Sequence, residues 1–462
     1  MKKGIIQIFF SNVIFMLFGA LTNFFLPKYL SINSYAEYKT YILYLSYANL
    51  LALGYTEGMF LKYGGENFEE AKRLGFSKNR CTMVAFQLIV GVIIATIGVV
   101  VGSKLAFLFA IGAFTTNMCN YYKNFSTAIG DFGNYSILTS MEKIMVFAFN
   151  MALLFWVKLD NAYGYILVLI VVTVIEVTYY LFFLRRRGLS LIKIEFSIEE
   201  LKSCLKLGIV LMIGNLMSNV FTGIDQWFVK LLMSNTDFAI YSFSVSMEKM
   251  VALFITPIAT VMYNFLCKNE DSSKFKKIQD VVLIWAMALL TISFPMKWVV
   301  KIYLPAYEDA INIAAILFAG QAVGCLINCI YINMYKAKKR QREFLIQMFE
   351  MSVIAVVLDT ILCYAFGSMV SIAIATLVTK VIWLIVCQLE MKEYRYDIKS
   401  NVILCLTILV NIGLCILCNE YVGLAVYIGF FVVVLYIFFR PTIRMVRREI
   451  VHKHGGLNNN YE

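Results

Sequence analysis

Lysines and carboxylates occur inside long apolar stretches of this sequence, where a charged group is costly. Three lysines lie in such stretches: Lys143, Lys249 and Lys380. A lysine centred in a membrane-spanning helix costs about 2.5–3.5 kcal/mol on insertion scales, so it generally faces a cavity or a partner rather than lipid. Because Glu142 adjoins Lys143 and Glu248 adjoins Lys249, each lysine either binds an anion in a cavity or pairs with a carboxylate of another helix.

Five carboxylates also fall within apolar stretches: Glu176, Asp225, Glu248, Glu350 and Asp359. Buried carboxylates are natural sites for coupling transport to a proton or sodium gradient. Glu176 and Glu248 are the first candidates, because Asp225 and Glu350 lie close to the ends of their stretches. The alternative role for all five is a structural ion pair.

These residues are positioned by fourteen apolar segments of membrane-spanning length. Each crossing of the hydrocarbon core needs about 20 residues of low polarity, and a chain of 462 residues accommodates fourteen with little left over. The sequence therefore predicts an all-α polytopic membrane protein. The predicted spans, numbered 1 to 14, are 5–27, 38–60, 81–101, 105–122, 136–157, 164–184, 207–231, 238–266, 281–301, 308–334, 345–366, 367–389, 401–418 and 421–439.

Most of the 41 lysines and arginines fall in every second connection between the spans. This asymmetry predicts a multi-pass protein with both termini in the cytoplasm. It also accounts for the net charge of +12, so we do not expect nucleic-acid binding. Most of the eleven cysteines lie in spans as apolar packing residues, and His452 and His454 lie in a polar tail, so no metal site is predicted.

The longest connection, 185–206, divides six spans from eight. Its Ser197-Ile198-Glu199-Glu200 segment is a capping-box pattern that predicts the start of a short amphipathic helix. We predict an N-terminal six-helix bundle (1–184), a basic cytoplasmic linker (185–206), a second six-helix bundle (207–389), two additional helices (390–440) and a cytoplasmic tail (441–462).

The two predicted bundles resemble each other in sequence. At an offset of 203 residues, Tyr38 matches Tyr241 at corresponding outer turns, and at an offset of 209, Tyr122 matches Tyr331 at corresponding inner ends. Because six spans are an even number, both copies would cross the membrane in the same direction. This predicts parallel repeats related by an axis along the membrane normal.

Several short motifs resemble one family of membrane proteins. They are Ser34-Tyr35-Ala36-Glu37-Tyr38, Gly54-Tyr55-Thr56-Glu57-Gly58, Asp225-Gln226-Trp227 and Tyr303-Leu304-Pro305-Ala306-Tyr307-Glu308. With the span number and orientation, they are similar to the polysaccharide flippases of the Wzx type, in the wider MOP superfamily with MATE exporters and the lipid II flippase MurJ. The chain departs from the family where Lys39 replaces the usual glycine and Ile209-Val210 replaces proline.

The resemblance implies a bacterial cell-membrane transporter that moves a polyprenyl-pyrophosphate-linked oligosaccharide to the outer leaflet for surface polysaccharide synthesis. A charged pyrophosphate cannot cross hydrocarbon unaided, so such a protein needs cations in a hydrated cavity. Lys249, then Lys143 and Lys380, are the expected substrate contacts. Expected partners are membrane lipids and a polysaccharide polymerase and glycosyltransferases of the same pathway. No cofactor is expected beyond a proton or sodium gradient.

Two other classes of protein remain alternatives. A MATE-type exporter of cationic drugs should have a cavity with acids and few bases, whereas three lysines lie in the spans. An integral-membrane polysaccharide polymerase should have a large outer loop, and no predicted outer connection exceeds about a dozen residues. Because the sequence carries no P-loop, catalytic triad or metal-ligand pattern, we do not expect an enzyme.

Overall fold

A computed structural model describes residues 2–189, 195–259, 262, 266 and 272–442 of the chain. Every regular element among them is a helix, and eleven of the helices are long and apolar enough to cross a membrane. The predicted all-α, multi-pass fold is therefore confirmed. The predicted tail lies almost entirely outside the described residues, as do 190–194 of the linker and most of the last part of span 8.

The helices follow the predicted spans in order. Their bounds are α1 Lys2–Tyr29, α2 Ile32–Leu45, α3 Tyr55–Tyr63, α4 Phe68–Arg73, α5 Phe76–Val100, α6 Lys104–Ala128, α7 Phe132–Ala152, α8 Ala162–Arg186, α9 Ile198–Leu232, α10 Asn235–Ala252, α11 Ser272–Leu289, α12 Ser293–Tyr303, α13 Ala310–Leu326, α14 Asn333–Ala337, α15 Gln341–Phe366, α16 Met369–Glu390, α17 Ile398–Leu417 and α18 Glu420–Phe438.

Span 7 is longer than the sequence predicted. Helix α9 begins at Ile198, where the Ser197 hydroxyl accepts a hydrogen bond from the backbone N–H of Glu200 (3.3 Å), and it continues for 35 residues to Leu232. The amphipathic segment expected after Ser197 is thus the first part of α9 rather than a separate short helix.

Span 2 is interrupted, which the sequence did not predict. Between α2 and α3 the chain forms a short 3₁₀ helix, Ala48–Ala52. The next two residues, Leu53 (φ 48°) and Gly54 (φ 84°), have left-handed backbone conformations. The left-handed region is strained for a residue with a Cβ and open to glycine. Gly54 therefore lets the chain leave the 3₁₀ helix and start α3 in a new direction.

Helices α3 and α9 touch through glycines. A Cβ built at Gly58 would overlap the backbone of Cys204, and a Cβ built at Gly208 would overlap the carbonyl oxygen of Gly54. Gly54-x-x-x-Gly58 on α3 faces Cys204-x-x-x-Gly208 on α9. This is the spacing of small residues that lets two membrane helices bring their backbones into contact.

The described chain separates into two compact units. Unit 1 comprises 1–230 and 234–239, and unit 2 comprises 231–233 and 240–462. The division thus assigns nearly all of α9 to unit 1. The sequence-based boundary at 185–206 stays a prediction.

In unit 2, Lys297 holds the end of α17 against α12. Its Nζ donates to the carbonyl oxygens of Cys415 (2.5 Å) and Cys418 (2.8 Å), which are at the C-terminus of α17. A cation at this end of a helix satisfies free carbonyls and complements the helix dipole. Lys297 lies near the outer end of predicted span 9, within α12, and it is buried.

We expect Lys297→Met to lower the melting temperature of the purified protein, because two buried carbonyls lose a charge-assisted donor worth about 1.5–3 kcal/mol. Lys399→Met, at an exposed position of α17, is the matched control and should leave the melting temperature unchanged. Equal melting temperatures for Lys297→Met and the wild type would contradict the capping role.

Asp160, in the connection between span 5 and α8, joins this connection to the start of α2. Partial burial tends to raise the pKa of Asp160, but hydrogen bonds from the Ser31 backbone N–H (2.9 Å) and from the Ser34 and Ser31 hydroxyls lower it overall. A carboxylate with a lowered pKa stabilises the fold above its unfolded pKa, about 3.9, and this stabilisation is lost as the pH falls through the folded value.

We therefore expect Asp160→Asn to lower the melting temperature at pH 7 and to have a smaller effect near pH 3. Because Asp160 is largely exposed to solvent, the loss at pH 7 should stay below about 1 kcal/mol. Thermal unfolding of both proteins across this pH range measures the difference. A destabilisation that grows on acidification would contradict the assignment.

Candidate functional site: buried charges and a polar cavity

Four charged side chains form a cluster between helices of unit 1. The carboxylate of Glu142 on α7 lies 2.6 Å from Lys123 Nζ on α6 and 2.8 Å from Lys143 Nζ. Lys123 Nζ also lies 3.5 Å from the carboxylate of Glu176 on α8. Two lysines and two glutamates make the cluster neutral overall, which limits the cost of burying it.

Neighbouring side chains hold the cluster in place. The Cys119 thiol donates to Oε2 of Glu176 (2.9 Å), and Lys143 Nζ lies 4.4 Å from the centre of the Phe15 ring. Glu176 is fully buried. Lys143 and Glu176, two of the sequence-predicted site residues, thus lie in one charge-compensated cluster, with Lys123 as the cation between the two glutamates.

A second buried charge pair lies in unit 2. The carboxylate oxygen Oε1 of Glu248 on α10 accepts hydrogen bonds from Lys380 Nζ on α16 (2.7 Å) and from Gln321 Nε2 on α13 (2.8 Å). Gly320 leaves room for the lysine, because a Cβ built there would lie 3.2 Å from Lys380 Cδ. The structure therefore brings together Glu248 and Lys380, which the sequence assigned to different roles.

Lys249 differs from the other two predicted lysines. Its side chain is exposed within unit 2, and no carboxylate in the described part of the chain lies within 4 Å of its Nζ. It precedes Ala252 by three residues on α10, so the two side chains occupy neighbouring positions on one helix face. Ala252 lines a cavity.

This cavity in unit 2 has a volume of about 510 Å³. Its polar lining includes Gln321, Asn328 and Asn333 of span 10 and Lys336, which follows that span in α14. Asn328 donates to its own helix at the Gly324 carbonyl (2.8 Å). Because Gln321 also contacts Glu248, the cavity adjoins the buried Glu248–Lys380 pair.

The three remaining predicted carboxylates lie on α9 and α15. Asp225 is buried near the end of α9, where it accepts from the backbone N–H of Gln226 (2.8 Å). Asp359 is buried in α15, and Glu350 in the same helix is exposed. Of these three, Glu350 is the least suited to a desolvated ion site.

Sequence reasoning missed several polar residues. Lys123 was placed in an inner connection but lies within α6, and Glu57 was noted in a motif without being counted among the intramembrane carboxylates. Glu57 accepts hydrogen bonds from Asn49 (2.8 Å) and Asn215 (3.2 Å). The sequence signal for Glu57 was its position one helical turn after Gly54, within predicted span 2.

The charged clusters and the polar cavity offer groups that can bind ions and polar molecules. Among the described residues, no three histidine, cysteine or acidic side chains converge as a metal site. Cys415 and Cys418, which have CxxC spacing, contribute backbone carbonyl oxygens to Lys297. What the geometry offers is buried charge pairs and a polar cavity.

Neither a protein-family model nor a curated protein sequence matches this chain. Among solved structures it is similar to the lipid II flippase MurJ in an inward closed conformation, with a TM-score of 0.64 and 14% identity over 96% of this chain and 100% of that one. It is also similar to a multidrug resistance MATE family transporter of the MOP superfamily. For its inward-facing conformation the TM-score is 0.59, with 13% identity over 83% and 94% of the two chains, and for its outward-facing conformation the TM-score is 0.52, with 14% identity over 88% and 96%.

At these identities the similarity establishes the fold and leaves the substrate open. The chain is an all-helical, multi-pass membrane protein whose fold is similar to those of MATE transporters and MurJ. The fold implied by the sequence motifs is thereby confirmed.

Proposed function

We propose that this protein is a flippase of bacterial surface-polysaccharide synthesis. It moves a polyprenyl-pyrophosphate-linked oligosaccharide from the inner to the outer leaflet of the cell membrane by alternating access, with both of its termini in the cytoplasm. The fold, shared with a lipid II flippase and with MATE exporters, and the sequence motifs of the Wzx type support the proposal.

The observation that carries the proposal is Lys249, which is exposed within unit 2 and has no carboxylate partner among the described residues. It lies one helical turn before Ala252, which lines the polar cavity. A pyrophosphate must exchange its water shell for fixed cations and hydrogen-bond donors. In the cavity lining, Lys336 offers an ammonium group, and Gln321 and Asn328 offer amides for the sugar hydroxyls. Lys249 offers a second ammonium group one turn before the lining residue Ala252. The lipid tail needs no such groups, because it can remain in the bilayer.

The charge pairs also favour an anionic substrate over a cationic drug. A cation exporter needs acids that its substrate can reach, but Glu142, Glu176 and Glu248 each lie within 4 Å of a lysine. Lys143 and Lys380 are therefore secondary candidates for the substrate, because each would first have to leave a carboxylate. The MATE-type exporter remains the second candidate function, because its fold is shared.

Coupling of transport to a proton or sodium gradient is also part of the proposal. Glu176 and Glu248 remain its first candidates from the sequence, since each is buried in a span beside a lysine that could exchange partners.

Partners of the same pathway would be a polysaccharide polymerase and glycosyltransferases, which consume and supply the lipid-linked oligosaccharide.

The test is translocation of a labelled polyprenyl-pyrophosphate oligosaccharide in proteoliposomes. Loss of one charge-assisted contact of about 1.5–3 kcal/mol should lower the rate for Lys249→Ala by roughly tenfold or more at matched protein levels. Lys399→Ala removes an exposed lysine of α17 and should transport like the wild type. An unchanged rate for Lys249→Ala would remove this lysine from the substrate site.

A further inference from the structure

Glu57 is a buried carboxylate at the interruption of span 2. It lies in the first turn of α3 and is 8% exposed. One of its oxygens, Oε1, accepts hydrogen bonds from the side-chain amides of Asn49 (2.8 Å) and Asn215 (3.2 Å). The other oxygen, Oε2, is buried and has no hydrogen-bond partner among the described residues.

Glu57 also has no counter-charge in the described part of the chain. The carboxylates of Glu142, Glu176 and Glu248 each lie within 4 Å of a lysine. Among the described residues, no lysine or arginine lies within 4 Å of Glu57. An isolated buried carboxylate is costly, because two neutral amides do not replace the water that it has lost. Among the described residues, the negative charge of this buried carboxylate is therefore uncompensated.

The surroundings of Glu57 are rich in oxygen ligands for a cation. The amides of Asn49 and Asn215 already reach Glu57, and rotation of either amide by half a turn exchanges its nitrogen for its carbonyl oxygen. Thr56, the residue before Glu57, has a buried hydroxyl without a hydrogen-bond partner among the described residues. Carboxylate, amide and hydroxyl oxygens are the ligands that hard cations prefer.

Side chains other than Glu57 satisfy backbone carbonyl groups of the interruption of span 2. Its carbonyl groups accept from other side-chain amides: Ala48 from Asn117 (2.9 Å) and Leu51 from Gln87 (2.9 Å). Breaks in membrane helices are tolerated where such groups satisfy the backbone, and they commonly form ion sites. Glu57 contacts the interruption through one oxygen, which accepts from Asn49, and its second oxygen has no hydrogen-bond partner among the described residues. That second oxygen can therefore bind a ligand.

We propose that Glu57, with Asn49 and Asn215, binds a small monovalent cation, Na⁺, in unit 1. The single negative charge selects the valence, because a divalent ion beside one carboxylate and neutral oxygens would leave an uncompensated positive charge buried. Coupling of this ion to transport would rest on the proposed function, whereas the binding itself does not.

The test measures the melting temperature of the purified full-length protein against NaCl concentration, at fixed pH and with choline chloride keeping the ionic strength constant. A ligand that binds only the folded state raises the melting temperature with its concentration. We expect Na⁺ to raise the melting temperature of the wild type and to leave that of Glu57→Gln unchanged. The control variant Glu308→Gln lacks an exposed carboxylate, and its melting temperature should rise with Na⁺ as in the wild type.

Asn215→Ala provides a second variant in case Glu57→Gln does not fold. Asn215→Ala should raise at least tenfold the Na⁺ concentration that gives half of the maximal increase in melting temperature. A wild type that does not respond to Na⁺, or an unchanged response in Glu57→Gln, would overturn the proposal. A wild type stabilised by acidification but indifferent to Na⁺ would assign a proton to Glu57 and equally overturn the sodium site. No substrate is present in this assay, so its outcome is independent of the flippase proposal.

Discussion

Replacing Gly208 with leucine should prevent the protein from accumulating in a folded form. A Cβ at this position would overlap the backbone carbonyl of Gly54 and the backbone nitrogen of Gly58. Backbone atoms of a packed helix cannot move aside as the end of a flexible side chain can, so α3 and α9 would have to separate. We expect a destabilisation of at least about 3 kcal/mol, at the upper end of the usual range for overpacking.

Gly413→Leu is the matched control, because it places the same side chain on a helix where a Cβ would meet nothing within 4 Å. Size-exclusion profiles and melting temperatures of the two purified variants give the comparison. A monodisperse Gly208→Leu protein with the melting temperature of the control would contradict the close backbone contact between α3 and α9.

The second large effect is expected at the buried pair of Glu248 and Lys380. Glu248→Ala removes the one carboxylate that Lys380 contacts among the described residues and leaves its ammonium group buried and unpaired. Breaking a buried pair in this way typically costs about 3–5 kcal/mol. Lys380→Met should cost less, because Gln321 still donates to Glu248.

The double variant, with both Glu248→Ala and Lys380→Met, shows whether the two residues stabilise the protein as a pair or independently. Because neither charge remains, its loss of stability should be smaller than that of Glu248→Ala alone. Melting temperatures of the wild type, both single variants and the double variant complete the cycle. If the two single losses simply add in the double variant, the pairing is not what stabilises these residues.

Hydropathy and charge were sufficient to predict the order of the helices. A membrane span must satisfy its backbone internally, so long apolar segments become helices whatever surrounds them. Most of the predicted spans coincide with observed helices to within a few residues. The interruption of span 2 was harder to predict, because it lies in an apolar segment. Its carbonyl groups at Ala48 and Leu51 accept hydrogen bonds from Asn117 and Gln87, which are in other helices.

The charged partners could not be predicted in the same way. The sequence identified Glu248 and Lys380 as charges within spans, but they lie 132 residues apart. Hydropathy and charge in a single sequence do not reveal which helices pack together. Lys123 was assigned to a connection because it lies near the end of α6, although its ammonium group reaches two carboxylates of other helices. Long side chains near helix ends reach several ångströms from their backbone.

The charge of the transported molecule tests the central claim most directly. Proteoliposomes containing the wild-type protein should be given a labelled polyprenyl-pyrophosphate oligosaccharide in one preparation and a cationic dye in another, each with an imposed proton or sodium gradient. We expect the protein to move the lipid-linked oligosaccharide between leaflets and not to move the dye. Gradient-driven export of the dye without movement of the lipid would contradict the flippase assignment and identify a cation exporter.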